Sequence, residues 1–562
     1  MMKKQILKTE REGSHMKKYV SCLLTLALML GLAVPSASAA YTDVPASDPL
    51  SVEVEKATEY GLMNGYGNGV FGFKDSMTRA QFVTVLGRMF GWELNGGTYV
   101  TAEMKLDQTV EDVYWSYINA AAEHDIVDAA QPFRSNDPIT RGEMAEMLVR
   151  ALGLKGAAEQ LEKENTLPFT DVTDRKGYIA VAYDIGMTKG TSATTFAPDA
   201  TATRAQAAAM LLRIYEKLNP GESWTHAYYA ISSYSQLDMG TQTDAVTLGW
   251  SRMTWDGKDA LLATTSKSSY EYYIPSGYED VVKTLEDAAV KLHLGVYMDL
   301  GNGITEMLAD ADARTQAVEE IVNELTISYK ALGRNPYSGV TIDFEGLRAG
   351  QKENFTAFLK ELSETLKPLD KTLYVCVSPV LTTGAYYDGY DYRAIGDLAD
   401  KVILMAYDYD ARDLTQFVGT EYYKTAAPAP IDQVYLGLRA ITDPETGLKD
   451  TSKVVLGYSN KNIAWEIDED GKLVSGLPVY PSNETVAKRM RQEDTEFGFS
   501  SAYQASYMTY TTEDGSRYFL WYESSDSVQR RLDTARLFGI NSVSLWRLGT
   551  IPDDSSWYWD FS

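Results

Sequence analysis

The sequence predicts a multidomain protein in which an all-α trio of repeats precedes an α/β TIM (β/α)8 barrel. Three observations support this fold class. The chain has 562 residues, which is too long for a single hydrophobic core. A Thr-Arg motif recurs three times in the first half, at Thr78, Thr140 and Thr203. In the second half, short apolar runs alternate with helical stretches, a pattern that favours a parallel barrel.

The composition restricts the partners that the protein can bind. The chain has 52 Lys and Arg residues against 78 Asp and Glu residues, which gives a net charge of −26. Phosphate-rich partners require clustered basic residues, so the acidic balance argues against nucleic acid and against an anionic membrane surface. We interpret the acidity as a feature that keeps the protein soluble.

One long apolar run lies near the N-terminus. Lys17 and Lys18 precede an apolar stretch, 20–34, and small residues follow at 37–39. A basic region, an apolar stretch and a small-residue site indicate a secretory signal, so we expect residues 1–39 to be removed on export. A membrane anchor is the alternative, but the run is short for a bilayer and no basic stop follows it. No transmembrane segment is therefore expected after cleavage.

Cysteine and histidine usage predicts no metal and no cofactor. Cys22 lies within the signal, and Cys376, the other cysteine, is interpreted as a buried strand residue. His124, His226 and His293 show no metal-ligand spacing. A metal-dependent hydrolase is therefore not expected.

The repeated motif has a structural explanation for most of its residues. Successive Thr residues are 62 and 63 positions apart (78 to 140 and 140 to 203). Each Thr is followed three residues later by Gln or Glu, which is a capping box, so each motif is expected to begin a helix. The Arg in the first turn lies unfavourably against the helix dipole, which suggests a separate use such as binding a carboxylate.

The unit resembles the surface-layer-homology repeat, with an Asp-Val start, a Gly-rich middle and a terminal Thr-Arg-Ala-Glu type motif. The resemblance implies binding to anionic secondary cell-wall polysaccharide on an envelope of Gram-positive type. It implies ligand contacts from one Arg per repeat and site-shaping by one Asp per repeat, namely Arg79, Arg141, Arg204, Asp43, Asp112 and Asp171. The alternative is that some of these Arg residues form only local salt bridges.

The second half is expected to place an active site at the carboxyl ends of barrel strands. Predicted strands cover 245–250, 292–298, 339–344, 373–377, 401–407, 434–438, 454–458 and 541–546, with helices over 352–366 and 527–538. The expected domains are a signal region at 1–39, repeats at 41–98, 103–160 and 165–218, and a barrel at 225–562.

The most informative segment is 338–346. Side chains alternate along a strand, so Thr341, Asp343 and Glu345 share one face, which is expected to point to the barrel axis. Two carboxylates roughly 7 Å apart repel each other in an interior, which should raise one pKa. An acid of raised pKa beside a second carboxylate is what glycosidic cleavage requires. This pattern alone also fits a water-exposed Asp-x-Glu at a strand end.

Three motifs in order resemble family-18 glycosidases over about 227–562. They are 338–346, the run from Met405 to Asp408, and 544–549 around Trp546. Phe344 and the segment at Trp521 look most like the spore-cortex and cell-wall branch of that family, which cleaves N-acetylglucosamine bonds in peptidoglycan.

The family resemblance implies a role for each matching residue. Glu345 would be the general acid and later the base, and Asp343 would orient the acetamido group that attacks the anomeric carbon. Tyr407 would hydrogen-bond that acetamido group. Met405 and Asp408 would bind substrate beside it, and Trp546 would form the floor under the sugar.

The signature departs from the family pattern at two positions. Ser338 and Thr341 stand where the family has Asp. Thr341 can still donate and accept a hydrogen bond, but it cannot carry charge, so an altered pH profile is expected. The cell-wall branch often has Asn at the second position, so activity is not expected to be lost.

These observations predict an exported, wall-anchored hydrolase that cleaves N-acetylglucosamine-containing glycan by a substrate-assisted, retaining mechanism. The alternative is a wall-anchored carbohydrate-binding protein on an inactive barrel. Inactive relatives usually lose the acid, and Glu345 is present, which favours the enzyme. A purely structural surface-layer protein would need β-sandwich repeats, which the sequence does not predict.

Overall fold

The computed structural model describes residues 41–94, 104, 112–164, 167–221, 223–265, 272–379, 388–410 and 412–551. The predicted signal at 1–39 and the side chain of Asp112 lie outside this part of the chain. The chain divides into two compact units, one containing 41–77 and 202–212, the other containing 78–201 and 213–551. No helix within the described ranges is long and apolar enough to cross a membrane.

The repeats are helical, as predicted. Their helices are α1 (Leu50–Glu59), α2 (Arg79–Met89), α3 (Asp112–Glu123), α4 (Arg141–Ala151), α5 (Lys155–Leu161), α6 (Lys176–Asp184) and α7 (Arg204–Leu218). Thr78 and Thr140 each accept a hydrogen bond from the backbone N–H three residues on, and the Gln or Glu side chain at that position accepts one from the backbone N–H of the cap residue. Thr203 and Gln206 make the same pair. The three predicted capping boxes are therefore confirmed.

Eight parallel strands in the described part of the chain close into a barrel, which confirms the predicted fold. They are β1 (Trp224–Tyr229), β2 (Ala245–Trp255), β4 (Lys291–Met298), β5 (Gly339–Phe344), β6 (Thr372–Val377), β7 (Lys401–Met405), β8 (Val454–Ser459) and β13 (Ser542–Trp546). The sheet closes because β1 pairs with both β2 and β13. A short strand, β3 (Ala260–Ala263), pairs antiparallel with β2.

Helices cover the outside of the barrel. They are α8 (Leu237–Gly240), α9 (Tyr278–Asp287), α10 (Ile304–Ala309), α11 (Ala311–Thr326), α12 (Lys352–Leu366), α13 (Tyr392–Leu398), α14 (Ile431–Ile441) and α16 (Ser525–Leu537). One further helix, α15 (Asn483–Met490), packs instead on strands inserted after β8. On the outer face of β5, Phe344 stacks on Phe358 of α12 with ring centroids 5.2 Å apart. The apolar face of β5 therefore lies under a helix, and the polar face is left for the barrel interior.

One predicted strand is wrong. Residues 434–438 lie within α14 rather than in a strand. A short continuous apolar run fits a buried strand and a buried helix equally well, and here the helix is buried on nearly all sides. The sequence analysis also did not predict β1.

A four-stranded antiparallel sheet is inserted between β8 and β13. Its strands are β9 (Ile463–Ile467), β10 (Glu496–Ser500), β11 (Ala505–Thr511) and β12 (Arg517–Tyr522), in the order β10-β11-β12-β9. Trp465, Phe519 and Trp521 form the centre of its own apolar cluster. The sequence analysis did not identify this sheet.

Candidate functional sites

The end of β5 carries the two predicted catalytic carboxylates. The backbone N–H of Glu345 donates to the carbonyl oxygen of Met298 at 2.8 Å, so pairing with β4 continues one residue past the strand end. Thr341 and Asp343 are buried and Glu345 is half-buried. The alternation predicted for these three residues is therefore present, and it orders them from the barrel interior towards its carboxyl end.

A continuous network of neutral polar groups fills the barrel interior at the level of Thr341. The network runs, in order, through Ser544, His226, Thr247, Thr341, His293 and Thr372, with separations of 2.7, 2.7, 2.7, 3.3 and 2.8 Å. Burial lowers the pKa of both His226 and His293 to about 3, so both imidazoles are neutral. Thr341 is thus a partner in an uncharged network, and its hydroxyl satisfies the hydrogen bonding at this position without a carboxylate.

Asp343 is only 7% exposed, and the thiol of Cys376 is one of its neighbours. Burial raises the pKa of Asp343, and the Cys376 thiol acts in the opposite direction. Cys376 Sγ lies 2.7 Å from the Tyr228 hydroxyl. The Oδ1 atom of Asp343 has no hydrogen-bond partner within the protein. A buried carboxyl oxygen without a partner is available to a substrate N–H.

Glu345 is adapted to hold a proton. Burial is the largest of the effects that raise its pKa. The nearby carboxylates of Asp343, Asp408 and Asp299 raise the pKa further, and Arg412 acts to lower it. A carboxyl group with these neighbours stays protonated to higher pH than an exposed Glu. This environment is the one that a general acid requires.

The other nearby carboxylates are engaged by partners of their own. Asp408 forms an ion pair with Lys461 at 3.1 Å, and the same Lys461 lies 2.8 Å from Asp410. Asp299 accepts hydrogen bonds from the Tyr297 hydroxyl at 2.9 Å and from the Asn302 side chain. Asp408 and Asp299 are therefore both engaged in other contacts, whereas a carboxylate nucleophile would be free of them.

Two cavities lie at this end of the barrel. The smaller, of about 190 Å³, is lined among others by Tyr228, Ser251, Tyr272, Tyr297, Asp343 and Trp546. The larger, of about 680 Å³, is lined among others by Glu345, Met405, Tyr407, Asp408, Arg412 and Asp432. Trp546 is 39% exposed, and its ring centroid lies 5.0 Å from that of Tyr228. All six barrel residues singled out from the sequence thus line one of these two cavities.

The sequence analysis missed several residues of the site. Cys376 was interpreted as a plain strand residue, and Tyr228 lies in the strand that was not predicted. The aromatic run from Trp224 to Tyr229 could have indicated β1. Lys461 and Arg412 lie in segments that follow strands, and no sequence motif marks either residue.

The motif Arg residues of the repeats all make the same contact. Each Nε atom donates to the carbonyl oxygen of a Phe: Arg79 to Phe133 at 2.7 Å, Arg141 to Phe196 at 2.9 Å and Arg204 to Phe71 at 3.0 Å. Each guanidinium also lies over the ring of the same Phe, 4.8 to 5.1 Å from its centroid. Arg79 is in addition paired with Glu143.

Two of the repeat Asp residues, Asp43 and Asp171, hold loops that carry these Phe residues. Asp43 accepts backbone N–H bonds from Phe71, Gly72 and Phe73 at 2.7, 2.7 and 2.9 Å. Asp171 accepts them from Phe196 and Ala197 at 2.8 and 2.7 Å. These backbone bonds lower the pKa of Asp171. The Asp and Arg of the motif therefore fix the same loop from two sides.

Comparisons with known proteins agree with this architecture. Residues 213–550 match the family of glycosyl hydrolases family 18. Residues 40–83, 109–145 and 168–208 match the S-layer homology domain. The first match covers more than half of the chain, and the second falls on the three predicted repeats.

Curated relatives match parts of the chain. YdhD of Bacillus subtilis (strain 168), which is ascribed a sporulation-specific glycosylase role, is 25% identical over 303 residues, 51% of this chain and 66% of that protein. The cortical fragment-lytic enzyme of the same organism is 22% identical, over 41% of this chain and 50% of that enzyme. The chain thus spans between half and two thirds of these relatives. Among solved structures, the Bacillus cereus spore cortex-lytic enzyme SleL is similar with a TM-score of 0.46 and 18% identity, over 58% of this chain and 71% of that chain.

Proposed function

Because the chain belongs to the glycosyl hydrolases family 18, we propose that it is a wall-anchored enzyme that cleaves N-acetylglucosamine-containing glycan, either peptidoglycan or a chitin-like chain. One observation carries the proposal: Glu345, a carboxyl group whose pKa is raised by burial and by neighbouring carboxylates, borders a cavity next to the partly unpartnered Asp343.

Glu345 is the general acid in this proposal. Its proton passes to the glycosidic oxygen as the bond to the anomeric carbon breaks. The same carboxylate then takes a proton from the water that attacks the anomeric carbon. A group that alternates between the two tasks needs a pKa near the working pH, and the surroundings of Glu345 move its pKa in that direction.

The nucleophile is the acetamido oxygen of the substrate itself. Asp408 is ion-paired with Lys461, and Asp299 accepts two hydrogen bonds, so neither has the freedom of a protein nucleophile. Asp343, with one carboxyl oxygen unpartnered, accepts the acetamido N–H and stabilises the positive charge that develops as the oxazolinium ring closes. Because two displacements occur at the anomeric carbon, the configuration is retained.

The remaining site residues bind the sugar. The Tyr407 hydroxyl hydrogen-bonds the acetamido carbonyl, and Asp408 and Met405 line the same cavity. Trp546 presents an exposed ring next to Tyr228, which suits the C–H face of a pyranose.

The repeats supply wall anchoring in this proposal. They bind anionic secondary cell-wall polysaccharide on the surface of a bacterium of Gram-positive type, after export directed by residues 1–39. Support comes from the S-layer homology match and from the recurring Arg-Phe-Asp arrangement, which builds the same loop in different repeats. Arg79, Arg141 and Arg204 contribute charge to these loops, and Asp43, Asp112 and Asp171 shape them.

Digestion of purified peptidoglycan and of chitin oligomers tests the proposed activity. New reducing ends identified by mass spectrometry should appear with the wild type and be absent with Glu345→Gln, which keeps the shape but cannot donate a proton. Glu353→Gln, the same change on the exposed face of α12, is the matched control and should retain activity. A wild type that binds these glycans without releasing reducing ends would favour the carbohydrate-binding alternative.

A further inference from the structure

Helix α14 (Ile431–Ile441) is buried on both its barrel face and its outer face. Val434 and Leu438 belong to the barrel core. Asp432 and Tyr435, at i and i+3 on another side of the helix, are 8% and 0% exposed. A helix that is buried all round needs cover on both sides. The outer cover comes from residues 153–164 and 167–184, together called the docking segment, which contains α5 and α6 and lies in the same compact unit as the barrel.

A polar stripe on α14 meets the docking segment. Asp184, 16% exposed at its side chain, accepts hydrogen bonds from the Tyr435 hydroxyl and from Arg439 Nε, both at 2.8 Å. The side chain of Gln160 donates to Asp432. Positions 432, 435 and 439 follow the i, i+3, i+7 spacing of one helix face. Each member of the stripe therefore has a specific partner in the docking segment.

Two glycines allow the backbones to approach closely. A Cβ atom on Gly156 would lie 3.5 Å from the Cβ of Asp432 and 3.4 Å from the carbonyl oxygen of Ala502. A Cβ on Gly153 would lie 2.6 Å from the side chain of Gln504, and its φ of +74° already favours glycine. A side chain at position 153 would therefore separate the two surfaces, whereas a Cβ atom at position 156 would just reach contact distance from Asp432.

The contacted residues also form one wall of the larger cavity. Pro430, Asp432, Gln433 and Tyr503 line it together with Glu345. The backbone N–H of Ile431 donates to the carbonyl oxygen of Tyr503 at 3.1 Å, which joins the two parts of the wall. The docking segment thus supports, from outside, the same residues that face the cavity.

We infer that the docking segment of the repeats is the outer support of the glycan cleft, so that the anchoring region positions residues 430–433 and 503 for substrate binding. The inference rests on the proposed function for the identity of the ligand, but the contact itself does not. Gln160, Asp184, Tyr435 and Arg439 are then positioning residues that act on binding of the glycan and not on the bond that breaks.

A disulfide bond in the full-length protein, with Cys22 changed to Ser, tests the contact without any glycan. Gly156→Cys combined with Asp432→Cys places two Cβ atoms within the range that a disulfide spans. Diamide, which takes up the two thiol hydrogens, should close this bond, seen by mass spectrometry of a non-reduced digest. Cys376 is buried and does not compete. Lys155→Cys with Asp432→Cys is the matched control, because Lys155 points to Asp125 at 2.7 Å, and it should stay reduced.

Absence of a disulfide in the Gly156 pair, or equal formation in the Lys155 pair, would overturn the inference. Both outcomes are independent of catalysis, so they are distinguishable from failure of the proposed function.

Kinetics with two variants test the positioning role. Tyr435→Phe removes only a hydroxyl and should fold, and Asp184→Asn weakens the acceptor for both Tyr435 and Arg439. For long N-acetylglucosamine oligomers, KM should rise several-fold while kcat is unchanged, because Glu345 and Asp343 are not disturbed. Lys155→Ala, on the same helix as Gly156 but outside the stripe, should leave both constants unchanged. A fall in kcat at unchanged KM, or no change in either variant, would contradict the positioning role.

Discussion

The Sγ atom of Cys376 lies 2.7 Å from the hydroxyl of Tyr228, and the same thiol neighbours Asp343, whose pKa it acts to lower. The buried cysteine is therefore a link between a barrel tyrosine and a carboxyl group of the site. Thr341, which replaces the second Asp of the family signature, instead joins the neutral network below. On this side Asp343 thus faces a thiol that is itself bonded to a phenol, rather than a second carboxylate.

Replacement of Cys376 should reveal the effect of this thiol. Cys376→Ala removes the polar neighbour of Asp343. A polar interaction with a group that carries charge during the reaction contributes about 1.5–3 kcal/mol, so kcat should fall roughly 10-fold or more. Cys376→Ser keeps a donor at the same position and should retain most of the activity. Kinetics of both variants on a soluble N-acetylglucosamine oligomer measure the difference. Equal activity of the Ala and Ser variants would show that the thiol packs without positioning Asp343.

The neutral network should contribute to stability. In Thr341→Val, the buried side chains of Thr247 and His293 each lose one hydrogen-bond partner. The free energy of unfolding should therefore fall by about 1–3 kcal/mol. Urea denaturation followed by fluorescence measures it. Thr365→Val, on the exposed part of α12, is the control and should change stability little. A Thr341→Val variant as stable as the wild type would mean that the network does not contribute significantly to the free energy of unfolding.

Glu345 should make the protein less stable as pH rises. Because its pKa is raised in the folded state, the native protein binds this proton at pH values where the unfolded chain has released it. The free energy of unfolding should therefore decrease from near the ordinary pKa of 4.5 upward, until the folded group has also ionised. Glu345→Gln cannot ionise, so it should be more stable than the wild type at neutral pH and show a weaker pH dependence. Thermal unfolding of both proteins between pH 4 and 8 measures this, and parallel curves would contradict it.

The repeat Arg residues should be needed for wall binding. The triple variant, made in the full chain, replaces Arg79, Arg141 and Arg204 with Ala and so removes three charged hydrogen-bond donors. Co-sedimentation of this variant with purified walls should fall at least about tenfold. Because these residues also hold Phe carbonyls, hydrolysis of a soluble oligomer and circular dichroism are needed as checks of the fold. Walls stripped of secondary polymer should bind the wild type as poorly as the variant. Undiminished binding by the folded variant would remove these Arg residues from the proposed site.

Motifs with local causes could be predicted from the sequence. The capping boxes at Thr78 and Thr140 and the alternation around Asp343 depend on neighbouring residues only, and the structure contains them. Contacts between distant segments could not be predicted, because no local pattern encodes them. The hydrogen bond of Cys376 is made with Tyr228, which lies on another strand. The assignment of 434–438 as a strand failed because the docking segment covers the outer face of this helix, so that the helix is apolar on more sides than an ordinary surface helix.

The anomeric configuration of the first product tests the central claim most directly. Proton NMR of a β-linked N-acetylglucosamine oligomer, recorded within the first minutes after wild-type enzyme is added, distinguishes the β-anomer from the α-anomer before mutarotation. A substrate-assisted mechanism with Glu345 as acid predicts the β-anomer first, with no product from Glu345→Gln on the same time scale. Initial release of the α-anomer, or β-anomer release by Glu345→Gln at the wild-type rate, would contradict the account.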